Sequence, residues 1–115
     1  MTPRVSGWWR ALACLVGAGM ALAACAELPA GVREETGIVT AVDGPSAAQV
    51  DRFVLRTQDG RELTFEVGAL RVGGDAFPAA HLAEHLVSLE PIRVQFVEES
   101  DGRLVALRMT DAPAP

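Results

Sequence analysis

Residues 52–67 place the tightest constraint on what this chain can fold into. Residues 52–57 set Phe53 and Leu55 between the charged Arg52 and Arg56, and residues 61–67 set Leu63, Phe65 and Val67 between Glu62, Thr64 and Glu66. Alternation of period two with one apolar face makes a half-buried strand. The intervening Asp59-Gly60 makes the two strands a hairpin. The faces then decide the loop length. A two-residue Asp59-Gly60 loop would oppose Leu55 to Thr64. A three-residue Gln58-Asp59-Gly60 loop opposes Leu55 to Leu63 and Phe53 to Phe65, with Arg56 against Glu62 and Arg52 against Glu66 on the outer face. Matched apolar pairs and opposed charges both favour the longer loop. Gly60 suits the positive φ with which such loops end.

Three further strands are predicted. Residues 36–42 are β-rich and stop at the turn signal Asp43-Gly44-Pro45. Residues 92–97 carry Ile92, Val94 and Phe96 on one face, behind a Pro91 that a strand tolerates at its start. Residues 103–109 carry Val105, Leu107 and Met109 on one face. An even-length loop keeps these last two faces matched, either Asp101-Gly102 alone or residues 99–102. The string Asp-Gly-Arg occurs at 59–61 and again at 101–103, which reads as hairpin chemistry used twice. Between the third and fourth strands, residues 79–89 place Leu82, Leu86 and Leu89 on a helical stripe. Pro78 fits the first turn, Pro91 blocks continuation, and Asp75 is placed to cap it.

Five strands with one helix between the third and fourth predict a mainly β fold, a small OB-like barrel. The chain is similar in outline to bacterial extracytoplasmic domains of unknown function that open with Gly-x-Val-x-x-Val-Asp-Gly. Here that opening is Gly37-Ile38-Val39-Thr40-Ala41-Val42-Asp43-Gly44. The resemblance implies the fold and an exported setting, and it brings no catalytic residues.

The N-terminus supplies an address. Residues 1–10 carry Arg4 and Arg10 and no acid, residues 11–21 are apolar without interruption, and small residues follow. That is the pattern of a secretory signal peptide, residues 1–24. The apolar run is too short to span a bilayer, which takes about 20 residues. Leu22-Ala23-Ala24-Cys25 resembles the lipobox of bacterial lipoproteins. The resemblance implies a diacylglyceryl group on Cys25 and cleavage before it, with two acyl chains as a stable anchor. Residues 25–35 then read as the lipidated N-terminus and a tether, 36–111 as the barrel and 112–115 as a frayed tail. Cys14 would leave with the signal, so the barrel has neither thiol nor disulfide and must be held by its core.

Composition narrows the chemistry. The formal charge is −5, and losing Arg4 and Arg10 with the leader makes the remainder more negative still. Nucleic-acid binding runs on basic charge and, in OB domains, on aromatic platforms. This chain has no Tyr, both Trp lie at positions 8 and 9, and its Phe residues fall on core faces, with Phe77 at the helix start. His81-Leu82-Ala83-Glu84-His85 matches the H-x-x-E-H string of inverted zinc peptidases, but a barrel this small has no room for their substrate cleft. His81 and His85 stand one helical turn apart, so both rings can meet one ion. Two ligands fall short of the usual four, and the competing reading is a solvated helix shoulder, with His85 flanking the leucine stripe and His81 farther out. Arg52, Arg56, Arg93 and Arg108 read as partners of outer-face acids, and Glu98-Glu99-Ser100-Asp101 as a solvated hairpin tip.

The expectation is a non-enzymatic, lipid-anchored binding module on the extracytoplasmic face of the cell membrane. It takes an envelope protein as partner, with no nucleic acid and no cofactor. The alternative is a metal-handling lipoprotein that uses His81 and His85 for zinc or copper.

Overall fold

The computed structural model describes residues 28–113. The expected signal peptide, the expected lipidation site Cys25 and the last two residues lie outside the described residues. β1 (Arg33–Asp43), β2 (Arg52–Thr57) and β3 (Glu62–Val67) form an antiparallel meander. The β2–β3 register is the one the matched faces demand, with Phe53 opposite Phe65, Leu55 opposite Leu63, Arg56 opposite Glu62 and Arg52 opposite Glu66. The Thr57 amide donates to the Arg61 carbonyl at 2.9 Å, closing a three-residue loop with Gly60 at φ +88°.

Side chains hold that loop. Asp59 accepts from the Thr57 hydroxyl and from Arg61 Nε at 2.8 Å, and Thr57 Oγ1 accepts the Arg61 amide at 3.1 Å. The Thr57 hydroxyl, and after it the Arg61 guanidinium, hold the Asp59 carboxyl below the ordinary aspartate range. Asp101 repeats the device. It accepts from Arg103 Nε at 2.8 Å and from the Arg103 amide at 3.1 Å, and Arg103 lowers its carboxyl likewise. A lowered folded-state pKa contributes stability above the ordinary aspartate value, and that contribution is lost as pH falls through the lowered one. Both carboxylates are exposed, so the contribution is small. In a carboxyl-detected NMR titration, Thr57→Val is expected to return Asp59 towards ordinary behaviour and leave Asp101 unmoved. Equal movement of both would break the assignment.

The second hairpin corrects the even-loop expectation. In β4 (Ile92–Glu98) and β5 (Leu104–Asp111), Glu98 opposes Leu104 and the Glu99 amide donates to the Arg103 carbonyl at 2.8 Å. This leaves a three-residue Ser100-Asp101-Gly102 loop, with Gly102 at φ +92°. An odd loop alone would mismatch the faces, and a bulge repairs them. Phe96 opposes Ala106 while Gln95 opposes Arg108, so Leu107 is the extra residue. Ala106 and Met109 therefore reach the core, and Val105 and Leu107, expected there, stay half-buried outside it.

The ring closes in the order β1-β2-β3-β5-β4 and back to β1, with β3 and β5 parallel. This five-stranded closure, with a short helix before β4, is the OB-like barrel. β1 serves two neighbours: its first half pairs with β4 and its second half with β2, and the β2-paired half carries a bulge at Thr40. Gly37 sits at the crossover, opposite both Thr57 and Ile92. A Cβ there would overlap the Arg56 carbonyl oxygen and lie 2.9 Å from its carbon.

The first strand starts earlier than expected, while the last ends at Asp111. β1 begins at Arg33, inside the expected tether, because its charges are partnered across the barrel. The Arg33 guanidinium lies 5.3 Å from the Phe96 ring centre, Glu34 meets Gln95 at 3.3 Å and Arg93 at 3.5 Å, and Glu35 accepts from Arg61 at 3.1 Å. At the other end the Ala112 amide donates to the Pro91 carbonyl at 3.0 Å, so the expected tail begins with a bonded residue.

Phe65 stands at the centre of the core, 5.3 Å from Phe53 and 4.9 Å from Phe96. Val39, Leu55, Ile92, Val94 and Met109 complete the filling. The helix is shorter than expected. A 3₁₀ turn (Ala79–His81) leads into α1 (Leu82–Ser88), which packs on β1 and stops at Leu89 in the left-handed region, φ +59°. Leu82 is buried and Leu86 packs half-buried on the core as the stripe predicts, whereas Leu89 is exposed and His85 joins the buried face. Asp75 does not cap the helix; it pairs with Arg108, and Pro78 precedes the first turn without a side-chain cap. Among the described residues no helix is long and apolar enough to cross a membrane.

Candidate functional site

The 3₁₀ turn, α1 and the end of β5 bring His81, His85 and Asp111 together, with one ligand atom of each inside 4.8 Å of the others. The two histidines are one helical turn apart on the face that covers the barrel end. Asp111 is the last residue of β5 and opposes Ile92. It therefore lies beside the segment Glu90-Pro91 that links α1 to β4.

His85 is only 3% exposed, which corrects the reading of a solvated shoulder. A buried ring must satisfy both nitrogens, and this one does. Nδ1 lies 3.0 Å from the Glu90 carbonyl oxygen and Nε2 lies 2.7 Å from Asp111 Oδ1. A carbonyl only accepts, so Nδ1 carries the hydrogen. The left-handed Leu89 returns the chain so that the Glu90 carbonyl meets the ring, while the Leu89 amide closes the helix on the His85 carbonyl at 3.0 Å.

His81 is more open. Its Nδ1 lies 3.1 Å from Glu84 Oε2, and its Nε2 lies 3.9 Å from Asp111 Oδ1. The two imidazoles stand 4.9 Å apart and nearly perpendicular. Phe77 backs both, 5.2 Å from His85 with rings close to parallel and 4.8 Å from His81. Phe77 is itself fixed, buried with its amide donating to the Met109 carbonyl at 2.9 Å. The cluster is thus two imidazoles with ordered rings and one carboxylate open to solvent. It can hold a proton or a cation between nitrogen and oxygen.

Sequence reasoning found His81 and His85 and missed Asp111. No spacing rule points to a residue 26 positions from His85; the β4–β5 register does, once the Leu107 bulge is counted. In the peptidase string Glu84 would serve as base, whereas here its carboxylate faces the Nδ1 of His81.

Three of the four stripe arginines, Arg52, Arg93 and Arg108, make ion pairs, although not all with the expected partners. Arg52 turns to Asp43 at 3.3 Å, and Glu66 goes to Arg103 at 2.7 Å. Arg93 and Arg108 meet Glu34 and Asp75. The acidic tip of the second hairpin spends Asp101 on its own turn. An apolar depression of about 410 Å³ lies where α1 meets β1 and β2, lined by Ile38, Leu89 and Pro91 and rimmed by Arg56.

No protein-family model and no curated protein matches this sequence.

Proposed function

We propose that the protein is a lipid-anchored binding module on the extracytoplasmic face of the cell membrane, recruiting a protein of the envelope rather than catalysing a reaction. The observation that carries the reading is the string Leu22-Ala23-Ala24-Cys25 followed, eight residues after the cysteine, by the first strand of the barrel. Eight residues reach at most about 27 Å when fully extended. An anchored Cys25 would therefore hold the barrel close to the lipid headgroups, where it meets other membrane-bound proteins. The filled core favours binding on the outside, because phenylalanines occupy the interior where larger barrels hold ligands.

The anchor is tested by growing the producing cells with labelled palmitate. Label is expected on the wild-type chain and not on Cys25→Ser, with the variant leaving the membrane fraction. Label retained on Cys25→Ser would overturn the anchor. The recruitment reading is tested by cross-linking in intact envelopes, followed by detergent extraction and capture of the chain. An envelope protein enriched over a Cys25→Ser control supports it, and enrichment of none counts against it.

A further inference from the structure

We propose that His81, His85 and Asp111 form a binding site for one divalent transition-metal ion of the zinc or copper(II) class. The inference names a ligand for the binding module, and it stands on the geometry of the cluster whether or not Cys25 carries lipid.

Four observations converge. The first is the donor set: His81 Nε2, His85 Nε2 and Asp111 Oδ1 come from three side chains and converge within 4.8 Å. Two imidazoles and a carboxylate suit zinc or copper(II), whereas magnesium and calcium prefer oxygen alone. The second is the support behind the donors. Histidines that bind metal donate their other ring nitrogen to a carbonyl or carboxylate, which fixes the tautomer and aims the free nitrogen. His85 does so here, to the Glu90 carbonyl at 3.0 Å, and the His81 Nδ1 has the Glu84 carboxylate 3.1 Å away. The third is the wall. Phe77 backs both rings and limits their rotation.

The fourth is the contact between His85 and Asp111. Nδ1 donates to the Glu90 carbonyl, and Nε2 lies only 2.7 Å from a carboxylate oxygen of Asp111. A contact this short needs a positive centre between the two atoms: a ring hydrogen supplies it in the metal-free protein, and a metal ion that displaces that hydrogen would supply it while also engaging His81. Donors 2.0–2.1 Å from a tetrahedral ion stand roughly 3.3 Å from each other. The observed separations to Asp111 Oδ1 are 2.7 Å from His85 and 3.9 Å from His81, and they bracket that value. The Asp111 side chain is 69% exposed at a strand end, free to take the small swing that evens them.

Three protein donors leave the fourth position of a tetrahedral ion open to water or to an incoming ligand. With Asp111 and His81 both reaching solvent, the site takes an ion up and releases it, as a carrier or acceptor of metal does.

The test uses the full chain purified in detergent and stripped of metal. It is titrated with zinc chloride, then separately with copper(II) chloride, with calorimetry for stoichiometry and NMR for the imidazole ring protons. One ion per chain is expected, with both rings shifting together. His85 is buried, so the exposed members carry the mutational test. His81→Ala and Asp111→Asn are each expected to lower affinity on the order of 100-fold, and Glu84→Gln, behind a donor, about tenfold. No saturable binding of either ion would overturn the proposal, as would binding that survives both His81→Ala and Asp111→Asn. Neither result bears on Cys25, whose labelling experiment is read separately.

Discussion

Phe65→Ala is expected to cost about 3–5 kcal/mol, the usual range for emptying a buried phenylalanine site. Phe65 is fully buried, stacked on Phe53 of β2 and edge-on to Phe96 of β4. Its strand also makes the only parallel seam of the ring, opposite Leu104. Truncation therefore opens a cavity where the meander meets the second hairpin, and the barrel backbone, closed on itself, has little freedom to collapse into it. A domain of this size has roughly 4–13 kcal/mol of total stability, so the variant is expected to sit at the edge of unfolding. Phe65→Leu keeps most of the volume and is expected to cost about 1.5 kcal/mol or less. Urea denaturation followed by far-UV circular dichroism measures both, because the chain's two tryptophans precede the barrel. A loss below about 1 kcal/mol for Phe65→Ala would show that the three-ring cluster does not hold the seam.

Gly37→Ala is expected to destabilise by about 2–3 kcal/mol, a typical overpacking penalty. The sign is the informative part. Elsewhere in a strand, replacing glycine by alanine gains roughly 0.5–1 kcal/mol from the unfolded chain. At Gly37 the new methyl group would overlap the Arg56 carbonyl, a backbone atom that cannot rotate away. Gly37 is also where β1 leaves β4 and joins β2, so relief of the overlap means loosening one of two seams. Gly68 is the control. A Cβ there meets only Val105 Cγ1 at 3.4 Å, and Gly68→Ala is expected to stay within about 0.5 kcal/mol of wild type. Equal midpoints for the two variants would refute the crossover argument.

The first hairpin was fully legible because its two faces speak independently. Apolar pairs and charge pairs select the same register, and Gly60 agrees with the loop they require. In the second hairpin only the apolar face was informative. An even loop and an odd loop with a bulge satisfy it equally well, and no residue type marks Leu107 as the one set aside. The start of β1 was hidden for a different reason. Arg33, Glu34 and Glu35 look like solvated tether until the chain has closed and brought Phe96, Arg93 and Arg61 alongside. The site was half legible by the same logic. His81 and His85 are neighbours along one helix, so their pairing is local. The burial of His85 and the arrival of Asp111 depend on contacts that the barrel creates, and a helical pattern hands that buried place to a leucine.

β5 hydrogen-bonds to β3 on one side and to β4 on the other, and it is the last strand of the ring in chain order. A polypeptide that emerges N-terminus first can form β1, β2 and β3 early, but the circle stays open until residues 104–111 arrive. Asp111 ends that strand, so the third donor takes its place only when closure is complete. Up to that moment His81 and His85 lack the carboxylate that faces them in the finished barrel. Order in time is thus built into the position of one aspartate: the cluster is assembled last, and an immature chain has no such centre to offer.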